Sequence, residues 1–331
     1  MLLLGLAAVW GASFMFIKVA DRRFAPMTVV WLRLVLATAV LVPAAVAAAG
    51  PQAFEHARRQ GRRLLAVGVV NSLVPFALIA WAETRIDSGL AAILQAAAPI
   101  FSVVIASRFD DDRVTPARLL GVTVGLVGVA LVVGVHLRGG HTAALAVILA
   151  ALFYATGGVY AGRALRTIDP VVAAAGSLAC AAVVAAPFGL AQLPASVPGW
   201  KETGSVLVLG IAGTGVAYGL YFALIREAGP ARSILVTYLV PPVALAYGVL
   251  LLGEPFRTAA VVGLALILIG VALAGGSLAM LERTARSRGD RDVTWKRGDE
   301  LQPASDRGVR GEVEAAFVGD VGVCEEGDVC E

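Results

Sequence analysis

Residues 87–134, DSGLAAILQAAAPIFSVVIASRFDDDRVTPARLLGVTVGLVGVALVVG, lie over residues 229–276, GPARSILVTYLVPPVALAYGVLLLGEPFRTAAVVGLALILIGVALAGG, when the chain is shifted by 142 positions. Pro99 then meets Pro241, Gly121 meets Gly263, and Gly128-Val129-Ala130-Leu131 meets Gly270-Val271-Ala272-Leu273. Asp112 meets Glu254, each an acid just ahead of an apolar block. Two unrelated apolar helices would share composition, but not prolines, glycines and an acid in one register. The register marks an internal duplication.

The duplicated blocks belong to a longer series. The chain has 331 residues, 58% hydrophobic and only 15% charged, and its mean hydropathy is +0.81. Soluble domains carry about a quarter charged residues, so a water-soluble globule is excluded. The apolar residues do not alternate with period two, as lipid-facing barrel strands would. They form ten blocks, 2–20, 27–49, 64–82, 88–107, 117–137, 143–162, 170–190, 204–225, 231–252 and 258–280. Most have the length that a helix needs to cross about 30 Å of hydrocarbon. The expected fold is an all-α polytopic membrane protein with ten transmembrane helices, five in residues 1–137 and five in residues 143–280. Five is odd, so the second half enters the bilayer in the opposite sense to the first. Such inverted repeats serve alternating access around a site near the midplane, and this argues for transport.

Other classes fare worse. The net charge of +3 and the 7% aromatic content argue against a nucleic-acid surface. The cysteines, Cys180, Cys324 and Cys330, fit neither a disulfide framework nor a zinc site. No HExxH, GxSxG or P-loop is present, so neither an intramembrane enzyme nor an ATP-driven pump is expected, and no cofactor is needed. Met1 opens directly into an apolar run, expected to be an uncleaved first span whose true start could lie upstream. Residues 281–331 are rich in Arg, Asp, Glu and Gly, and such a segment is expected to be a disordered cytoplasmic tail. Arg58, Arg59, Arg62 and Arg63 dominate the bias among the loops, which puts both termini in the cytoplasm.

Ionisable groups inside spans are functional candidates because hydrocarbon makes them expensive. Lys18 lies near the outer end of the first span and Arg33 about two turns into the second from the same side. Together they predict a cationic patch for a carboxylate or phosphate, with Lys18 otherwise snorkelling or facing Asp21. Glu83 closes the third span; it is the candidate coupling acid, or a solvated residue that pairs with Arg33 or Arg85. Glu254 and Asp112 are expected to cap the helices that follow them, and the Asp110-Asp111-Asp112 run to be a solvated loop. Trp10, Ser13, Asn71, Trp81, Gln95, Tyr154, Tyr218, Tyr221, Thr237 and Tyr238 are the uncharged candidates for substrate contact, although such groups also bond neighbouring helices. Gln95 and Tyr238 stand just before the paired prolines, where a freed carbonyl can open a polar spot. Asn71 and Gly213 correspond under the repeat, as do Phe76 and Tyr218, so the third, fourth, eighth and ninth spans should line the cavity. The pairs Gly121/Gly125 and Gly215/Gly219 predict close helix packing within the molecule.

WGASFMFIK (10–18), RLVLA from Arg33, AAILQAAAPIFSVVIA with the following RLLGVTVGLVGVALVVG, and LVPPVALAYGVLLLGEPFRTAAVVGLALILIGVAL resemble the EamA family of the drug/metabolite transporter superfamily. Asp112, where that family usually shows Glu, and the polar FDDDR stretch depart from its pattern. The resemblance implies a ten-helix permease moving small metabolites, often outward. An exporter of amino acids or related compounds is the leading expectation. Uptake of sugar or nucleotide-linked cargo, and a non-transporting scaffold or sensor, are the alternatives. The expected partners are the lipid bilayer and a small-molecule substrate, with a proton as the candidate coupling ion. The chain would work as a monomer or homodimer and bind no nucleic acid.

Overall fold

The computed structural model describes residues 1–106, 115–136, 140–228, 233 and 235–274. Asp112, the Asp110-Asp111-Asp112 run and the 281–331 tail lie outside the described residues. Regular structure among the described residues is helical. In chain order the helices are α1 (Leu2–Ala20), α2 (Pro26–Ala49), α3 (Pro51–Arg59), α4 (Gly61–Glu83), α5 (Ser88–Gln95) and α6 (Ala98–Ala106). They continue with α7 (Pro116–His136), α8 (His141–Ala164), α9 (Pro170–Ala191), α10 (Trp200–Glu227), α11 (Val236–Leu252) and α12 (Thr258–Ala274). Eight helical stretches, with α5 and α6 taken as one, are long and apolar enough to cross a membrane. The other two, α11 and α12, are apolar but have 17 residues each, about 25 Å at 1.5 Å per residue.

Helix starts follow the local sequence. Pro26, Pro51 and Pro170 occupy first-turn positions, where a missing N–H costs nothing. Asp169 caps α9, its Oδ1 accepting from the Val171 and Val172 N–H groups at 2.9 and 3.3 Å. The basic stretch expected as a loop from Pro51 is instead largely helical. In α3, Ala53, Phe54 and Ala57 turn towards the core, while Arg58 and Arg59 stay exposed, an amphipathic pattern suited to a membrane interface.

The duplication is written into the packing. Helices α4 and α10 each contain a π turn, at Val69–Leu73 and Ile211–Val216, and a shift of 142 residues carries 69 to 211. Extensively packed helix pairs include α7 with α12, α2 with α9, and α1 with α11. Each of the first two pairs joins a helix to its own repeat counterpart. The third has its image in the packing of α8 against α5 and α6. Likewise α4 packs on α8 as α10 packs on α1, and α4 on α9 as α10 on α2.

Glycines mark the same relation. A Cβ on Gly270 would lie 2.4 Å from the Gly125 nitrogen and 2.6 Å from the Gly121 oxygen, and one on Gly128 2.8 Å from the Gly263 oxygen. These contacts bring α7 and α12 backbone to backbone, so Gly121 and Gly125 serve packing within the molecule. Gly215 packs on Val40 in the same way, whereas Gly219 has nothing within 4 Å. Gly68 of α4 meets the Ser177 oxygen of α9, and its counterpart Gly210 of α10 meets Leu36 of α2.

The halves differ at their prolines. The expected fourth span breaks at Ala96–Ala97, just ahead of Pro99, into α5 and α6. Helix α11 runs unbroken through Pro241 and Pro242. The break leaves Gln95 at a helix end with its buried Oε1 unpartnered.

Glu254 does not cap the helix that follows it. Gly253 ends α11 in the left-handed region, at φ +69°, which favours glycine. The turn delivers the Glu254 carboxylate to the first turn of α5 instead, where it accepts from the N–H groups of Ser88 at 2.7 Å and Gly89 at 3.1 Å. Gly248 leaves the space for this, since a Cβ there would lie 2.3 Å from Glu254 Oε2. The capping chemistry is the expected one, an acid at the positive end of a helix, but the helix capped belongs to the other half. Glu254→Ala is expected to leave both donors unsatisfied and to cost about 1–3 kcal/mol. A melting temperature in detergent equal to that of the unaltered protein would contradict this.

Candidate functional site

Arg33 is the most deeply placed cation among the described residues. It stands seven residues into α2 from Pro26, about 10 Å along the helix, and is 9% exposed. Its Nε donates to Thr214 Oγ1 at 2.7 Å, and Thr214 Oγ1 donates to the Leu209 carbonyl at 3.0 Å across the π turn of α10. The guanidinium lies over the Phe76 ring of α4, 3.8 Å from its centroid, a favourable arrangement for a cation withdrawn from water. Tyr154 of α8 and Tyr218 of α10 are close enough to act on the Arg33 charge. Tyr154 in turn neighbours the Gln95 amide, and Tyr218 neighbours the Ser72 hydroxyl.

These residues are related by the duplication. Phe76 and Tyr218 are equivalent, and so are Ser72 and Thr214. Thr214, Phe76 and Tyr218 act on the one guanidinium and Ser72 stands by Tyr218, so Arg33 is held between α4 and α10, next to the π turn of α10. The position equivalent to Arg33 in the second half is Ala175. A near-symmetric polar frame thus surrounds a single, unsymmetric charge. Among the described residues no acid touches Arg33, and Glu83 acts on its charge less than the two tyrosines do; a buried cation without an acid in contact is costly unless a ligand supplies one.

Apart from Thr237, the remaining uncharged sequence candidates fall into four places. Ser13, Asn71 and Gln95 lie beside the Arg33 group. Ser13 Oγ donates to the Val9 carbonyl at 3.2 Å and faces Gly213, where a Cβ would lie 2.9 Å away. Asn71 packs on Gly157 within the α4 π turn. Trp10 and Tyr221 stack on each other, 5.4 Å between centroids, in a separate small cluster with Leu6, Ala7 and Leu224. Tyr238 packs against the main core and is not among the groups that touch Arg33. Trp81 lies under Arg85, 3.9 Å from the guanidinium. The group around Arg33 therefore draws on α1, α2, α4, α5, α8 and α10, rather than on α11.

Lys18 and Glu83 are not where the sequence suggested. Lys18 does not join Arg33 in a cationic patch. Its Nζ donates to the carbonyls of Glu83 at 2.5 Å and Ile86 at 2.7 Å. Those carbonyls belong to the end of α4 and the turn after it, which lack helical partners and carry the negative end of the dipole. Glu83 is not solvated: it is 0% exposed, and neither carboxyl oxygen has a hydrogen-bond partner. Arg85 does not pair with it, because its Nη1 donates to the Trp81 carbonyl and Thr84 Oγ1. Asp21 also has both carboxyl oxygens buried and unpartnered, and burial pushes it up to about 8 against the attraction of Lys18.

Sequence reasoning missed Thr214, Ser72 and Asp21. The first two were available as an equivalent hydroxyl pair under the 142-residue shift. Asp21 sits in what reads as an ordinary polar turn, and only the packing shows it to be covered.

The comparisons with known proteins agree with this architecture. The chain is 31% identical over 275 residues to a probable terminal-alkyne amino-acid exporter of Streptantibioticus cattleyicolor, covering 80% of this chain and 89% of the relative. It is 27% identical to the uncharacterized inner membrane transporter YedA of Escherichia coli, over 82% of this chain and 88% of that one. To a probable amino-acid metabolite efflux pump of Escherichia coli it is 26% identical, over 80% and 90% of the two chains. A solved crystal structure shares the fold at a TM-score of 0.62 and 20% identity, with 85% of this chain and 97% of the other covered. The profile of the EamA-like transporter family matches residues 1–134 and 141–276, one match to each half of the duplication, and the chain belongs to that family.

Proposed function

We propose that this protein is a secondary exporter of amino acids or closely related carboxylates, working by alternating access between two inverted five-helix halves. Ten helices cross the bilayer in this reading, with both termini in the cytoplasm, so the α1–α2 and α4–α5 turns face outward. The observation that carries it is Arg33: a buried guanidinium that no acid among the described residues touches, held by Thr214 of α10 and Phe76 of α4. A carboxylate cargo supplies the missing charge through charge-assisted, fork-like hydrogen bonds. Tyr154, Tyr218, Gln95, Asn71 and Ser13 provide hydroxyl and amide groups around it. Two of the relatives bear amino-acid exporter or efflux names, which supports the same cargo class.

The test compares the medium metabolome of cells making the protein with that of cells making equal membrane levels of Arg33→Ala. A carboxylate-bearing compound is expected to accumulate outside only with the unaltered protein. The same metabolites in both media would overturn the reading.

A further inference from the structure

The acids at the α1–α2 end of the bundle have no part in holding a carboxylate cargo, yet their carboxyl oxygens are covered. Glu83 closes α4 with 0% exposure and two unpartnered oxygens. Asp21, just past the end of α1, adds two more buried and unpartnered oxygens. Among the charged groups around Glu83, Asp21 acts on it most strongly, ahead of Lys18, Glu254 and Arg33. Arg85 is turned away onto Trp81.

The charges do not balance with both acids ionised. Glu254 is committed to the Ser88 and Gly89 N–H groups. Lys18 and Arg33 are the cations that act on Glu83, and neither hydrogen-bonds to either acid: Lys18 donates to backbone carbonyls and Arg33 to Thr214. Two further carboxylates would leave an uncompensated negative charge in a place without hydrogen-bond donors, a cost that proteins avoid by keeping a proton. An acidic cluster alone would show little; what makes this one a site is the wholly buried, donorless Glu83. A proton is the ligand that removes the charge of a carboxylate whose oxygens have no hydrogen-bond partner.

We propose that Asp21 and Glu83 form a shared proton-binding pair, set seven residues beyond Phe76 along α4, that couples the export cycle to proton entry. The coupling rests on the export reading; the proton binding does not. A proton from the outer solution joins one carboxylate as cargo leaves, and is released on the cytoplasmic side after the halves have reoriented. Lys18 ties α1 to the end of α4 and so keeps the two acids together through the cycle. The pair titrates as one unit in two steps.

The test needs no cargo. Infrared difference spectra of the purified protein are recorded across pH for the unaltered chain, Asp21→Asn and Glu83→Gln. The unaltered protein is expected to lose two carboxyl protons in steps about one pH unit or more apart. Each variant should lose one, in a single step. Asp21→Asn, at a helix end, keeps the test open should Glu83→Gln fail to fold. Two-step loss unchanged in a folded variant would overturn the pair. In proteoliposomes, a pH gradient should accelerate amino-acid transport by the unaltered protein but not by Glu83→Gln. If the proton steps behave as expected and no amino acid moves, the pair stands and the export reading falls. Transport with equal gradient dependence in both proteins overturns the coupling.

Discussion

Arg33→Ala abolishes export while the protein still inserts and folds. Removing one partner of a buried, hydrogen-bonded charge pair costs about 2–5 kcal/mol, which is roughly a 30-fold or greater loss of cargo affinity. The fold should tolerate the change because no acid is in contact with Arg33 to be left unpaired: it touches a threonine hydroxyl and a phenylalanine ring, and Glu83 is the weakest of the groups that act on its charge. Thr214 keeps its own bond to the Leu209 carbonyl. Arg33→Lys retains the charge but not the planar fork or the Nε donor, so it should bind cargo with intermediate strength. Equal membrane abundance and melting temperature, with flux lost in the alanine variant and reduced in the lysine variant, is the expected set of measurements. Equal flux in all three proteins would remove Arg33 from the site.

Gly270→Val unfolds the α7–α12 pair. The atoms that a Cβ would strike are backbone, the Gly125 nitrogen at 2.4 Å and the Gly121 oxygen at 2.6 Å, and backbone cannot rotate away as a side-chain tip can. Overpacking a close interface costs about 1–3 kcal/mol even where some relaxation is available, and here the two helices must separate. The variant should lose folded protein in membranes and melt well below the unaltered chain. Gly158→Ala is the control: nothing lies within 4 Å of its Cβ position, and alanine is favoured over glycine in a helix by about 1 kcal/mol. Wild-type stability in Gly270→Val would show that α7 and α12 do not meet at these glycines.

What was legible in the sequence is what a helix writes along its own length. The register that paired Gly121 with Gly263 and Gly128 with Gly270 reappears as the contacts Gly121–Gly270 and Gly128–Gly263. Pro99 read as opening a polar spot near Gln95 within one continuous span, and the chain goes further, ending α5 at Gln95. Rotation and turn geometry were not legible, and they decide partners. Lys18 had the right depth for a cationic patch, but the carbonyls of Glu83 and Ile86 end a helix more than sixty residues away in the chain. Glu254 read as a cap for its own helix until the left-handed turn at Gly253 sent it to Ser88. Glu83 read as a boundary acid open to water, yet the meeting of the α1 and α4 ends covers it. Hydropathy reports how deep a residue lies, and not whether another helix stands in front of it.

The most direct test is transport in proteoliposomes holding only this protein, with a panel of radiolabelled amino acids and the matching amino-acid amides as competitors. The amides keep the side chain and the ammonium group but lack the carboxylate. At least one amino acid should cross the membrane, its amide should fail to compete, and Arg33→Ala should remove the flux. An amide that competes as well as its parent acid, or flux that survives Arg33→Ala, would show that the buried guanidinium is not what holds the cargo.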